Sequence, residues 1–198
     1  AGSESGAEIS DRILSANPIL EALGNSKTLR NDNSSRFGKY MQVHFRRTNK
    51  LEICGCSTTS YLLEKSRVTN IGEGERSYHI FYQLIAGADN RLKKKLQLEG
   101  FDDYSKFDYL NKGDLGNETV IHSDSDHFHF TTEGLNRLGF RHSEQFDMFS
   151  VVAGILHLGN IHFIAGEQGV YASVENFSAA KQAAAVLGVD AEKLAHSM

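Results

Sequence analysis

Asn31-Asp32-Asn33-Ser34-Ser35-Arg36, followed by Phe37-Gly38-Lys39, is the stretch on which the reading of this chain turns. Its first six residues offer amide oxygens, two adjacent hydroxyls and a guanidinium, with almost no apolar bulk. They lie between a helical pattern that ends near Gly24 and an alternating strand pattern over Tyr40 to Phe45. Asn, Asp and Ser side chains of this kind can close a polar turn on their own backbone. The same groups can offer a hydroxyl to Mg²⁺, donors to phosphate oxygens and a fixed positive charge, the parts that phosphoryl-transfer sites use for positioning and charge stabilisation. Composition alone leaves both chemistries open. A phosphate-cradling glycine loop is absent from the 198 residues: the small, polar start Ala1-Gly2-Ser3-Glu4-Ser5-Gly6 lacks the Lys and hydroxyl that such a loop needs, and reads as a flexible linker.

Working outward, a helical pattern begins near Ala7 with Ile9, Ile13 and Leu14 apolar. Asn17-Pro18 is a strong N-cap followed by a residue suited to a helix's first turn, so a break or kink is expected there, then a short helix closed by Gly24. Beyond the polar loop, Tyr40 to Phe45 and Leu51 to Thr58 predict two strands, joined as a hairpin by Arg46-Arg47-Thr48-Asn49-Lys50. Tyr78 to Gly87 is apolar almost all round, which predicts a buried helix. Residues 88–142 are weakly patterned and read as short helices and polar loops. Ser143 is the expected N-cap of a helix through Phe146, Phe149, Val152 and Leu156 that stops at Gly159. Asn160 to Ile164 is a short strand candidate, Ser178 to Leu187 a helix closing at Gly188, and Asp190 the cap of a last short helix. The fold class that follows is α+β, mainly helical, with a β-hairpin contributing to a larger mixed sheet.

The bulk numbers exclude some functions. Net charge is −4, so no global basic field favours nucleic acid or acidic membranes. The basic cluster Arg91, Lys93, Lys94 and Lys95 reads as a solvated helix face. No 18-residue apolar run predicts a membrane span, and Ala1 to Ile9 has no secretory pattern, so a reducing cytosol is the expected setting. Cys54 and Cys56, two apart in a strand, are expected to share a face and to make a poor disulfide. His122, His127 and His129, with Asp124 and Asp126, match no zinc-ligand spacing and read as a surface loop. His79, His157 and His162 fall inside helical or strand patterns and read as packing or surface residues.

The order Asn-x-x-Ser-Ser-Arg resembles the switch I loop shared by myosin and kinesin motors. Ser34-Ser35-Arg36-Phe37-Gly38-Lys39-Tyr40 is the myosin form, whereas kinesins tend to follow the Arg with Ser-His. Further segments resemble myosin in the same order: Glu8 to Leu14, Asn17 to Asn25 with Lys27-Thr28, Tyr61 to Val68, Tyr78 to Leu84, and Val152 to Ile161. The resemblance covers nearly all of the chain from Ala7 to Leu194, and is to the upper 50-kDa region of a myosin motor head, whose core is of the P-loop NTPase type. It divides the chain into a loop 1-like segment, residues 1–6, and one piece of motor domain, residues 7–198. Cys54-Gly55-Cys56-Ser57-Thr58-Thr59-Ser60 departs from the family's Gly-Ala-x-Ile run by being more polar, and touches no expected nucleotide contact.

The resemblance implies an actin-based motor that uses Mg-ATP, cytoplasmic and associated with the cytoskeleton. Asn31 would contact nucleotide phosphates through its side-chain amide. Ser34 would position the attacking water, and the Ser35 hydroxyl would be a Mg²⁺ ligand, a hard oxygen for a hard cation. Arg36 would pair with a glutamate of switch II and close the site. Ala165-Gly166-Glu167-Gln168-Gly169 matches loop 4, a secondary actin contact. The remainder of the head would be the other partner. The phosphate loop is expected before residue 1 and switch II after Met198, so the fragment alone is expected not to hydrolyse ATP. Two other functions remain open on the sequence: a degenerate, non-catalytic myosin-like interaction module and, more remotely, a kinesin-like motor.

Overall fold

The structure, a computed structural model, describes residues 6–47, 51–116, 118–165 and 172–198. Helix α1 (Gly6–Gly24) comes first, then two short strands, β1 (Asn25–Ser26) and β2 (Ser34–Ser35). The hairpin β3 (Gly38–Arg47) and β4 (Leu51–Tyr61) follows. Helices α2 (His79–Gly87), α3 (Asn90–Lys95), α4 (Glu118–Arg137) and α5 (His142–Gly159) build the centre. A small hairpin, β5 (Phe163–Ala165) with β6 (Ala172–Val174), and helices α6 (Phe177–Leu187) and α7 (Ala191–Ser197) complete the described chain. Three two-stranded antiparallel sheets form among the described residues. The β3–β4 hairpin pairs from Gly38–Tyr61 to Arg47–Leu51 and finds no third strand there, so its role in a larger sheet stays an expectation.

The core gathers on α2. Its residues Ile80 to Ile85 are all buried, as the all-round apolar pattern predicts, and α1, α4 and α5 pack around it. Tyr82, Leu84, Leu96, Phe107, Leu135 and Leu156 are fully enclosed. A second small cluster joins Ile161 to the alanine face of α6. Helix α6 ends where Gly188 takes a left-handed φ of 68°, the geometry for which glycine is the cheapest residue.

Several expectations fail for identifiable reasons. Helix α1 runs through Pro18 without a break. Proline removes the donor for the Leu14 carbonyl, but Leu14 is 64% exposed, so water can serve that group. Ser15 before the proline and Ile19 and Ala22 after it are all buried, and holding them in one line against α2 and α4 favours a continuous helix. Gly6 already belongs to α1, one residue ahead of the expected boundary, and residues 1–5 lie outside the described residues. Residues 118–137 form a single long helix, so the His122 to His129 segment is helical and not a surface loop. Its buried positions Asp124, Phe128, Thr131 and Leu135 recur at helical spacing, but two are polar, which hides the stripe from a hydropathy reading.

Helix α5 is capped at Arg141 and not at Ser143: the Arg141 amide donates to Glu144 Oε2 at 2.8 Å. The strand expected at Asn160–Ile164 forms slightly later, at Phe163–Ala165. A register shift between His44 and Phe45 leaves Cys54 as the extra residue opposite them, so the regular alternation that would put both cysteines on one face is interrupted. Cys54 is exposed, Cys56 is half-buried, and both thiols are free.

Candidate functional site

The 31–36 loop forms the second half of a short hairpin, Asn25 to Ser35, tied to the end of α1 and to Glu64 just past β4. Strands β1 and β2 pair Asn25 with Ser35 and Ser26 with Ser34. Ser26 also bridges to Tyr78 at the entry to α2. The Arg36 amide donates to the Gly24 carbonyl at 2.8 Å, and the Glu64 amide donates to the Arg36 carbonyl at 3.0 Å. Gly24 and Gly38 leave room for the rings of Phe37 and Tyr61, and a Cβ at either would collide with those rings. The sequence Phe37-Gly38 therefore locks the loop's exit against the helix end and the strand end together.

Within this frame the predicted residues stand as follows. Asn31 is exposed at the turn; its backbone is tied to Thr28, and its Oδ1 accepts from the Asn33 amide at 2.9 Å. Among the described residues its carboxamide nitrogen has no hydrogen-bond partner, so a donor remains for a ligand oxygen. Ser34 is half-buried, and its hydroxyl oxygen accepts from Arg36 Nη1 at 3.3 Å, which leaves its own proton to give. Ser35 is exposed, and its hydroxyl donates to the Phe37 carbonyl at 3.1 Å. That bond occupies the proton and leaves the oxygen lone pairs available, as a hard cation requires. Ser35, through its oxygen, and Asn31, through its carboxamide nitrogen, are therefore the residues that could hold a Mg²⁺-bound phosphate ligand.

Arg36 has a partner within the chain, and it is Glu64: Nε donates to Oε2 at 2.5 Å. Glu64 also accepts from Arg67 Nε and Nη2, each at 3.3 Å, and Arg67 Nη1 donates to Glu75 at 2.5 Å. Burial alone would raise the Glu64 pKa, but the hydrogen bonds from Arg36 and Arg67 outweigh it and hold the carboxyl below its ordinary value. Two arginines and two carboxylates therefore brace the loop's end. Lys27, on the other side, pairs with Asp114 at 2.6 Å and lies 3.7 Å from Asp32.

Asn33, Glu64 and Lys27 carried no expected role. Glu64 and Lys27 lie in the segments that resemble myosin, but nothing in their local sequence shows which charge each meets, since the Arg36–Glu64 pair spans 28 residues and Lys27–Asp114 spans 87. A cavity of about 480 Å³ borders Asp32 and Asn33 from behind, between α1, α2 and α4, and does not include Asn31, Ser34, Ser35 or Arg36 in its wall. Asp124, once grouped with the histidines, is buried there: both carboxylate oxygens bond Arg76, at 3.1 and 2.7 Å, and Tyr104 donates to it at 2.8 Å. His157 is fully buried and bonds the Leu96 carbonyl at 2.9 Å, a packing role as expected. Of the loop 4-like segment, Ala165 ends β5 and residues 166–169 lie outside the described residues.

The model of the family "Myosin head (motor domain)" matches residues 1–198. The chain is 46% identical over 187 residues to "Unconventional myosin IC" of Drosophila melanogaster, covering 94% of this chain and 17% of that protein. It is 43% identical over 195 residues to "Unconventional myosin-Ic" of Rattus norvegicus, covering 98% and 18%. To "Myosin heavy chain IB" of Acanthamoeba castellanii it is 48% identical over 162 residues, covering 82% and 14%. The chain thus spans less than a fifth of the length of these relatives. With a family match along its whole length and the myosin-like loop held in a defined hairpin, the chain belongs to the myosin head (motor domain) family.

Proposed function

We propose that this chain is the switch I-bearing piece of an actin-based, ATP-driven motor, the upper 50-kDa region of its head, with residues 1–6 as a loop 1-like lead-in and 7–198 as one structural piece. The carrying observation is the 31–36 loop, which leaves the Ser35 oxygen and the Asn31 carboxamide nitrogen available while Arg36 is braced by Glu64. Ser35 and Asn31 bind the Mg-nucleotide. Ser34, whose proton is free because its oxygen accepts from Arg36, orients the attacking water. Mg²⁺ supplies charge neutralisation on the phosphate oxygens when bound. Arg36 is the latch: exchanging Glu64 for a switch II carboxylate would couple closure of the site to the hairpin's position.

The larger mixed sheet, the P-loop NTPase core and the loop 4-like actin contact at 165–169 belong to the same proposal, as does a cytoplasmic, cytoskeleton-associated setting. No helix among the described residues is long and apolar enough to cross a membrane. The chain alone is proposed to be inactive, because a full site needs a phosphate-cradling loop and a switch II.

Binding of a fluorescent ATP analogue to a complete motor head carrying this chain tests the reading. Ser35→Ala is expected to abolish the Mg²⁺ dependence of binding while leaving the fold intact. Equal Mg²⁺ dependence in both proteins refutes it, and Mg-ATPase activity of the isolated chain refutes its inactivity.

A further inference from the structure

Asn33 differs from the other residues of the loop in what its side chain reaches. The Ser34 and Ser35 side chains bond within the loop and its immediate flank, whereas Asn33 bonds three separate elements. Its Oδ1 accepts from Asn25 Nδ2 of β1 at 3.0 Å and meets His79 Nε2, the first residue of α2, at 3.1 Å. Its Nδ2 donates to Glu21 Oε2 of α1 at 3.0 Å. Its backbone amide holds the Asn31 carboxamide.

The donors and acceptors fix one arrangement. An ionised Glu21 only accepts, so the Asn33 nitrogen must face it. The Asn33 oxygen then faces His79, which must carry its proton on Nε2. Burial, reinforced by the Arg76 guanidinium, lowers the His79 pKa to about 4, so the ring is neutral at neutral pH and a single tautomer fits. Glu21 from α1, Arg76 ahead of α2, and Asp124 and His127 from α4 act on its charge, and Lys27 and Asp32 line the same cavity.

We propose that Asn33 is the positioning residue of the 31–36 loop and His79 its clamp, so that Asn31 and Ser35 meet the Mg-nucleotide already ordered. The proposal rests on the nucleotide-binding reading above for its purpose, but not for its geometry. A loop held before binding has less conformational freedom to lose at binding, and affinity rises accordingly.

The test uses a complete motor head carrying this chain, with two readouts: amide hydrogen exchange over residues 31–36 without nucleotide, and the Kd of a fluorescent ATP analogue with Mg²⁺. His79→Phe keeps an aromatic ring and removes the donor. It is expected to speed exchange about fivefold and weaken binding by a similar factor, the loss of one net hydrogen bond. His79→Gln, which carries a donor, is expected to restore both to within about twofold. Asn33→Asp sets a carboxylate against Glu21 and is expected to loosen the loop as well. Adding Glu21→Gln supplies a donor to that carboxylate and is expected to tighten it again.

The clamp is overturned if the folded His79→Phe protein exchanges like the wild type, or if neither His79→Gln nor the Glu21→Gln pairing restores order. The two Asn33 variants decide the matter should His79→Phe not fold. Loss of nucleotide binding in the wild-type head would instead remove the functional reading and leave the exchange results to judge the clamp.

Discussion

Replacing Glu64 by Gln is the most informative perturbation of this loop, because it changes charge and one hydrogen-bonding atom while keeping the shape. Glu64 receives one short bond from Arg36 at 2.5 Å and two long ones from Arg67 at 3.3 Å. The long ones contribute little, and Arg67 keeps Glu75 in the variant. A charge-assisted bond in a protected site contributes roughly 1.5–3 kcal/mol. The Arg36 and Glu64 side chains are 29% and 31% exposed, so solvent screening pulls that value toward the lower limit. A loss of about 1.5 kcal/mol is expected, which for a chain of this size lowers Tm by roughly 3–6 °C.

The pH dependence sharpens the test. The folded pKa of Glu64 lies below its ordinary value, so its stabilisation is fully present above about pH 4.5 and is lost as pH falls through the lower folded value. The gap between wild type and variant should therefore close on acidification. Thermal unfolding followed by circular dichroism from pH 7 to pH 3 measures both quantities. A Tm within 1 °C of wild type at pH 7, or a gap that does not narrow in acid, refutes the view that Glu64 braces the loop through charge.

Other perturbations address the surroundings of the loop. Asp124→Ala leaves the Arg76 guanidinium, whose side chain is 4% exposed, without its carboxylate; a loss of about 3–5 kcal/mol in urea denaturation is expected, and less than 1 kcal/mol would contradict the buried pair. The neutral His79, with a folded pKa of about 4 against an ordinary 6.5, makes the unfolded chain bind the extra proton between those values. Stability should thus fall by up to about 3 kcal/mol as pH drops from 6.5 toward 4, and His79→Gln should flatten that slope in urea titrations; an unchanged slope would assign it to other groups.

The fold and the site were legible to different depths. The buried helix α2 showed itself because Ile80 to Ile85 are apolar almost all round, with Gln83 the exception, and α6 because Gly188 closes a small-residue run. The loop's family likeness was legible because hydroxyl, amide and guanidinium stand in an order that few loops share, and the family match runs through it. Helix α4 was not, since Asp124 and Thr131 occupy buried positions where a hydropathy pattern expects apolar residues, and their burial is made possible by Arg76 and Gln83 arriving from elsewhere in the chain. The continuity of α1 through Pro18 was likewise hidden, because local propensity argues for a break and only packing on both sides of the proline argues against it.

The sequence by itself determined the family, the identity of the candidate ligand-binding atoms and most element types, since these depend on residue order and local periodicity. Tertiary structure decided what holds those atoms in place. The partners of Arg36, Asn33 and Lys27 come from Glu64, His79 and Asp114, tens of residues away along the chain. Pairing of this kind depends on which elements pack side by side, and side-chain type and spacing along the chain carry no record of it.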